Sequence, residues 1–428
     1  MRGLILYLLI GGLLPNAIFG QIQYIHCGSL VDVENQRVRE EMTIVVEDNL
    51  ILRVDDGYLQ TDNEDINVID LRQMTVMPGF MDMHVHIESE SNPKRYLEKY
   101  TLNDADVAYK AHAYAMKNLL AGFTTVRDLG GSGINVSLRN AINEGLVDGP
   151  RIFTAEKSIA TTGGHADPSN GNNKFYSYDP GPESGVINSA EEARQAVRQR
   201  YKNGADCIKI TATGGVLSVA ASGLNPQFME DELRAVIETA NDYGFHTAAH
   251  AHGTEGMMRA VQAGITSIEH GTYMTEEVAN EMIKMGTFYV PTISAGKFVA
   301  NKARIAGFYP RVVAQKASEI GPQIQNTFAM AYKKGVKVAF GTDTGVSYHG
   351  DNADEFIYMV EAGMPPMEAI VTATLNCAEL LKQDQLGIIK SGYYADIVAV
   401  KGNPLEDISV LKSMDFVMKD GKVYKSNE

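Results

Sequence analysis

Basic residues are outnumbered: 38 Lys and Arg face 53 Asp and Glu, a formal net charge of -15 at pH 7. Without a basic excess to neutralise phosphates, composition argues against a nucleic-acid partner. It leaves the small-molecule substrate open. Cysteine is scarce as well. Cys27, Cys207 and Cys377 are odd in number and widely separated. They exclude a dense disulfide scaffold, and no Cys-x-x-Cys pair offers a zinc knuckle or redox site. Long apolar runs are missing beyond the first twenty residues, since none approaches the ~20 residues of a spanning helix.

The start of the chain is the exception. A basic Met1-Arg2 precedes a nearly continuous apolar run from Leu4 to Leu14, then Pro15 to Gly20 before Gln21. This pattern predicts a secretory signal peptide over residues 1–20. It implies a mature chain, soluble after signal removal, that is exported to the periplasm or the extracellular space. The remainder has an ordinary globular composition, 44% hydrophobic and 21% charged. At 428 residues it has length for one large domain or two smaller ones.

Two rhythms organise the chain. Residues 21–78 alternate apolar and polar positions between turn-forming Asp, Asn and Gly, and residues 383–428 do the same. Neither flank has enough apolar length to stand alone, so the two together predict one small discontinuous β-sandwich domain. Between them, residues 79–382 alternate amphipathic helices with short apolar strands, which predicts an α/β architecture with a parallel sheet. Eight strand candidates, among them FMDMHVHI, FTTVRD, CIKITA and HTAAHAH, favour a closed (β/α)8 TIM barrel. A doubly wound sheet fits the same pattern. Residues 160–188 break the rhythm with Gly, Asn, Pro and Asp, as expected of a binding loop, a lid or a surface excursion.

Ligand-capable residues recur at the predicted strand ends. His84 and His86 close the first strand, and a two-residue spacing puts both on one side of it. His250 and His252 close the fifth, His270 the sixth and Asp343 the eighth, while Lys209 stands in the otherwise apolar fourth. In a parallel barrel these ends converge on one mouth. His84, His86 and Asp343 could hold one divalent ion, and His250 with His270 a second; imidazole plus carboxylate suits zinc or a related metal. His252 is assigned a supporting place. A buried lysine needs a partner or neutrality. Lys209 either pairs with an acid such as Asp206 or, uncharged, takes up carbon dioxide to give a carbamate bridging both ions.

The order HxH, Lys, His, His, Asp resembles the amidohydrolase superfamily, over essentially the whole mature chain. TTVRDLG, TTGGHAD, KITATGGV, AAHAHG, SIEHG and GTDTGVSYHGDNADEF are similar to its metallo-dipeptidase branch. That branch includes prolidase-like Xaa-Pro dipeptidases, Xaa-Arg/Lys carboxypeptidases and ochratoxin-hydrolysing enzymes. The resemblance implies His84, His86 and Asp343 on the more buried metal, His250 and His270 on the other, and carboxylated Lys209 between the two ions, expected to be zinc. Imidazolonepropionase-like members keep one metal and lack the lysine, so Lys209 argues against them.

Two metals sharing a water present hydroxide near neutral pH. The expected reaction is its attack on a peptide or amide carbon, with Asp343 carrying the proton to the leaving amine. His165 is the candidate for steadying the oxyanion or touching the substrate. Arg127 is a candidate for a C-terminal carboxylate, and His349 and Tyr348 for lining the opening. Asp351, Asp354 and Glu355 either attract a basic leaving residue or serve as helix N-terminal acids. Tyr176, Tyr178 and Tyr348 are candidates for a proline cup. A dipeptidase or carboxypeptidase releasing Pro, or Arg or Lys, is the leading expectation. The alternatives are a cyclic-amide hydrolase or deaminase, then a lactonase or phosphotriesterase-like enzyme. A metal-binding barrel without activity leaves the polar loops unexplained. A homo-oligomer is compatible with the Gly- and Ala-rich helix faces.

Overall fold

The computed structural model describes residues 21–427, apart from Ser177 and Ser222. The expected signal peptide, residues 1–20, lies outside them. Among the described residues no helix is long and apolar enough to cross a membrane.

Seven strands from the two flanks form one sheet. Its order is Lys422–Ser426, Phe416–Lys419, Ile397–Lys401, Asn67–Pro78, Ile22–Asp32, Arg37–Glu47 and Leu50–Asp56. Asn67–Pro78 is the seam: it pairs in parallel with Ile22–Asp32 and antiparallel with Ile397–Lys401. The cause is the alternation in the sequence. Met42, Ile44 and Val46, two apart, share a face. They enter one apolar cluster with Ile25 and Cys27, Leu71 and Val76, and Ile397 and Phe416. The sheet therefore closes over its own interior, and neither flank completes that core alone.

Seven barrel strands follow in order: Phe80–Val85, Phe123–Asp128, Arg151–Thr154, Cys207–Thr211, His246–Ala251, Ser267–His270 and Phe288–Val290. They run parallel within two sheets. The third and fourth strands join through the Asp206 amide on Thr154 O at 2.7 Å and the Ile159 amide on Lys209 O at 2.8 Å. The eighth segment, 338–343, closes the ring. The Ala339 amide donates to Tyr289 O at 2.9 Å, the Met83 amide to Phe340 O at 2.9 Å and the Asp343 amide to His84 O at 2.7 Å. All eight strand segments expected from the sequence thus take their places in the barrel. Phe80, Phe123, Phe340 and Phe356 pack ring against ring in its core.

The crossover helices obey the 3.6-residue period. Asp104–Leu120 buries Ala111, Ala115, Asn118 and Leu119 along one stripe. Ser189 caps Ala190–Lys202 by accepting the Glu192 amide at 3.2 Å. One excursion was not expected from the sequence: after the seventh strand come two helices, Ile293–Ala303 and Arg311–Lys334, packed on one another. Lys316, on the second, donates to the carbonyls of Gly215, Ser218 and Ala220, each at 2.8 Å, and so ties that helix to the loop after the fourth strand.

Candidate active site

His84, His86, Lys209, His250, His270 and Asp343 all line one cavity of about 640 Å³ at the C-terminal mouth of the barrel. The strand period delivers them. Ile208 and Ile210 turn into the apolar core, so Lys209 between them turns inward to the cavity. His86 Nε2 lies 3.3 Å and His84 Nε2 3.6 Å from Asp343 Oδ1. Lys209 Nζ is 3.3 Å from His84 Nε2. Ligand atoms of His84, His270 and Asp343 all fall within 4.8 Å of one another. His250 completes the group, its ring centroid 4.6 Å from that of His270.

Each imidazole is held by its outer nitrogen. His84 Nδ1–H donates to Glu269 Oε2 at 2.9 Å, His86 Nδ1–H to Gly130 O at 2.8 Å and His250 Nε2–H to Gly214 O at 3.1 Å. These bonds fix the tautomers and leave His84 Nε2, His86 Nε2 and His250 Nδ1 as lone-pair donors. His270 Nδ1 rests on Thr292 Oγ1 at 2.7 Å, and His252 Nδ1 on Thr272 Oγ1 at 2.8 Å. His270 and Asp343 both adopt left-handed backbone, with φ of 71° and 59°, and so does Thr292 at 52°. Such conformations cost about 1–3 kcal/mol each and persist where the surroundings enforce them.

Burial, then neighbouring positive charge, keeps the imidazoles neutral. It pushes His86, His165 and His252 down to about 3, and His84, His250 and His270 well below the ordinary range. Burial also pushes the Lys209 ammonium down, against the pull of Glu269 and Asp343. It pushes the Asp343 carboxyl up, against the pull of Lys209. Asp343 Oδ1 is buried without a hydrogen-bond partner. Neutral imidazoles with anchored outer nitrogens, converging on an unpartnered carboxylate oxygen, are a donor set that fits a divalent metal.

The other expected contacts divide. His165 is at the site: its ring stacks on His250 with centroids 4.3 Å apart. A Cβ on Gly215 would fall 2.2 Å from that ring, so the Gly pair after the fourth strand makes room for it. Arg127 is not a cavity residue. Its guanidinium is fully buried, on Glu269 Oε1 at 2.9 Å, with Nε on Met83 O at 2.7 Å. It braces the residue that holds His84 and cannot reach a substrate. His349 is likewise engaged, with Nε2 on Ser89 O at 2.9 Å, Nδ1 on Asn118 and its ring stacked on Tyr114. Tyr348 packs against Phe298 and Lys302 outside the cavity.

Nor do the specificity candidates reach the cavity. Asp354 pairs with Lys412 at 2.6 Å, and Glu355 accepts the amides of Ile293 at 2.8 Å and Ser294 at 2.7 Å. Tyr176 and Tyr178 are exposed. The residues missed from the sequence are the anchors Glu269, Thr292 and Thr272. Only the adjacency of Glu269 to His270 hinted at one of them.

The amidohydrolase family model matches residues 75–424. The chain belongs to that family. This amidohydrolase is 53% identical to a Xaa-Pro dipeptidase solved with methionine bound in its active site. The two superpose with a TM-score of 0.92 over 95% of this chain and 100% of the other. A prolidase solved with N-methylphosphonate-L-proline is 33% identical, with a TM-score of 0.87 over 95% of this chain and 100% of that one. The ochratoxinase of Aspergillus niger is 34% identical over 377 residues, 83% of this chain and 76% of the ochratoxinase. Family and donor set together make the protein a metal-dependent hydrolase.

Proposed function

We propose that the protein hydrolyses a C–N bond as a dipeptidase or carboxypeptidase, releasing a C-terminal amino acid, at a binuclear centre. His84, His86 and Asp343 would hold one ion, His250 and His270 the other, and Lys209, carboxylated, would bridge them. Zinc suits these donors. The carrying observation is Lys209 Nζ, buried and 3.3 Å from the donor nitrogen of His84. An ammonium there would repel a cation, whereas a carbamate on the same nitrogen brings two anionic oxygens into the imidazole ring. Burial favours the free amine that takes up carbon dioxide.

Divalent ions held there would lower the pKa of water toward neutrality and polarise a carbonyl. Asp343 has an unpartnered Oδ1 and a carboxyl raised by burial, which suits it to accept a proton and return it to the leaving nitrogen. The His165 ring, whose Nδ1 is buried and unpartnered, supplies a donor for the carbonyl oxygen. The similarity to a dipeptidase with bound methionine supports a small amino-acid-derived substrate. The Leu4 to Leu14 run supports export.

The test uses wild type and Lys209→Ala, expressed from Gln21 and loaded with zinc. Bound metal is measured by elemental analysis, the carbamate by carbon-13 NMR after labelled bicarbonate, and amino-acid release from Xaa-Pro, Xaa-Arg and N-acyl substrates. Two metals per chain and a carbamate signal, both lost with activity in Lys209→Ala, are expected. One metal per chain, indifferent to the substitution, together with opening of cyclic imides, would falsify the bridged dipeptidase site.

A further inference from the structure

The charged groups of the cavity are nearly all spoken for. Glu88 accepts the amides of Ser132 at 2.7 Å and Asn135 at 2.8 Å. Glu98 is held by Lys110 at 2.8 Å and Asn92 at 3.2 Å. Lys99 donates to Asn172 Oδ1 at 2.6 Å. Asp104 opens the helix Asp104–Leu120, where the exposed amides favour an acid.

Arg95 differs. Its guanidinium makes one hydrogen bond, Nη1 to Gly345 O at 3.0 Å. Among the described residues, no carboxylate lies within ion-pairing distance of it. A guanidinium carries five N–H donors in a planar fork, so the cavity holds a cation with most donors unspent. That one bond reaches a residue beside the centre. Gly345 lies so near His86 that a Cβ on it would come within 2.6 Å of the His86 carbonyl oxygen. Arg95 is also one of the charges felt by both His86 and Asp343. Another part of the cavity is apolar: Val216, Leu217, Ala295, Val299, Ile324 and Val346. Burying a charged side chain there without a partner is costly.

We propose that Arg95 anchors the free α-carboxylate of the substrate, and that the apolar wall takes the side chain of the leaving amino acid. The cavity is then selective for N-acyl amino acids and dipeptides ending in an apolar residue, against those ending in Arg or Lys and against C-terminal amides. This proposal rests on the dipeptidase or carboxypeptidase reading. The guanidinium fork matches a carboxylate and lacks one in the protein, and the wall removes apolar surface from water.

The experiment compares N-acetyl-L-leucine, its carboxamide and N-acetyl-L-arginine as substrates of zinc-loaded wild type, Arg95→Gln and Arg95→Lys. In parallel, binding of L-leucine and L-leucinamide is measured by calorimetry. Arg95→Gln should raise KM for N-acetyl-L-leucine by on the order of 100-fold. The change in kcat should be far smaller, with metal content unchanged, and the carboxylate-over-carboxamide preference should collapse. Arg95→Lys should recover part of it. Equal preference in wild type and Arg95→Gln overturns the anchor while leaving the dipeptidase reading intact. Wild type that hydrolyses none of the three, yet binds L-leucine more tightly than Arg95→Gln does, keeps the anchor and overturns that reading. Preference for N-acetyl-L-arginine in wild type overturns the assignment of the apolar wall.

Discussion

Glu269 carries two jobs in a place without water. One oxygen accepts from His84 Nδ1–H at 2.9 Å; the other accepts from Arg127 at 2.9 Å and Ser267 Oγ at 2.5 Å. Removing its charge strands a fully buried guanidinium, a loss of about 3–5 kcal/mol for pairs of this kind. It also weakens the hold on a candidate ligand, an effect of about 10–100-fold on metal affinity. Glu269→Gln is therefore expected to lower the denaturant midpoint of metal-free protein and to release zinc earlier to a competing chelator. A variant equally stable, with unchanged chelator competition, would show that Arg127 and His84 are held by something else. Arg127 also marks where residue-scale reading of the sequence ended. Its place near a strand end was legible, but depth along the barrel axis was not. The bond from its Nε to Met83 O, one residue before His84, sets it beneath the donors. The meeting of His84, His86, His250, His270 and Asp343 at one cavity was legible because ligand-capable residues at successive strand ends have few other reasons to recur. Their anchors were not, since threonine and glutamate in a strand carry no such signature.

Elements were legible wherever a period ran long enough. The eight strand segments and the helices Asp104–Leu120, Ala190–Lys202 and Glu230–Asp242 follow from spacing alone. The helix pair after the seventh strand was not legible, because a strand–helix repeat needs only one crossover helix before AFGTD and the extra helix breaks no period. That pair supplies Ala295, Val299 and Ile324 to the cavity wall. The loop 160–188 was legible as a departure from rhythm. Its ends are drawn together by Ala160–Thr161 against Val186–Ile187, and Asn172 at its tip bonds to Lys99. It brings His165 to the cavity, where the ring position depends on the backbone across from it. Gly215→Ala places a methyl 2.2 Å from that ring and must displace it. Misplacing a group that contacts the reacting carbonyl costs about 100-fold in rate. The expected result is a fall of that size in kcat with zinc content kept. Unchanged kcat would remove His165 from the reaction, whereas loss of metal would show that the glycine supports the His250 ring instead.

The whole molecule buries titratable groups in and around its cavity, and that sets its response to acid. Eight histidines have folded pKa values pushed below the ordinary one, chiefly by burial: His84, His86, His165, His246, His250, His252, His270 and His349. In the unfolded chain they bind protons below about pH 6.5. In the folded protein they stay neutral, His86, His165, His246 and His252 down to about 3 and His349 to about 4. The unfolded state then holds more protons, so stability falls as pH drops through this window. Buried carboxyls work the other way: Asp82 and Asp128 are raised to about 6 and Glu355 to about 8 by burial, and Asp343 is raised as well. Folded, these keep protons that the unfolded chain has released above about pH 4.3, which favours the folded state on the acid side. Burial raises Asp206, Glu232 and Asp351 too, seven carboxyls in all; eight imidazoles still outnumber them, so the balance between about pH 6 and 4.5 goes to the histidines. Metal-free protein is expected to lose stability over that range with a slope above one proton, read as the shift of the urea midpoint in a pH series. Zinc requires the same neutral imidazoles, so the loaded protein should fall more steeply. A midpoint that rises toward pH 4.5 would mean that the raised carboxyls dominate over the histidines.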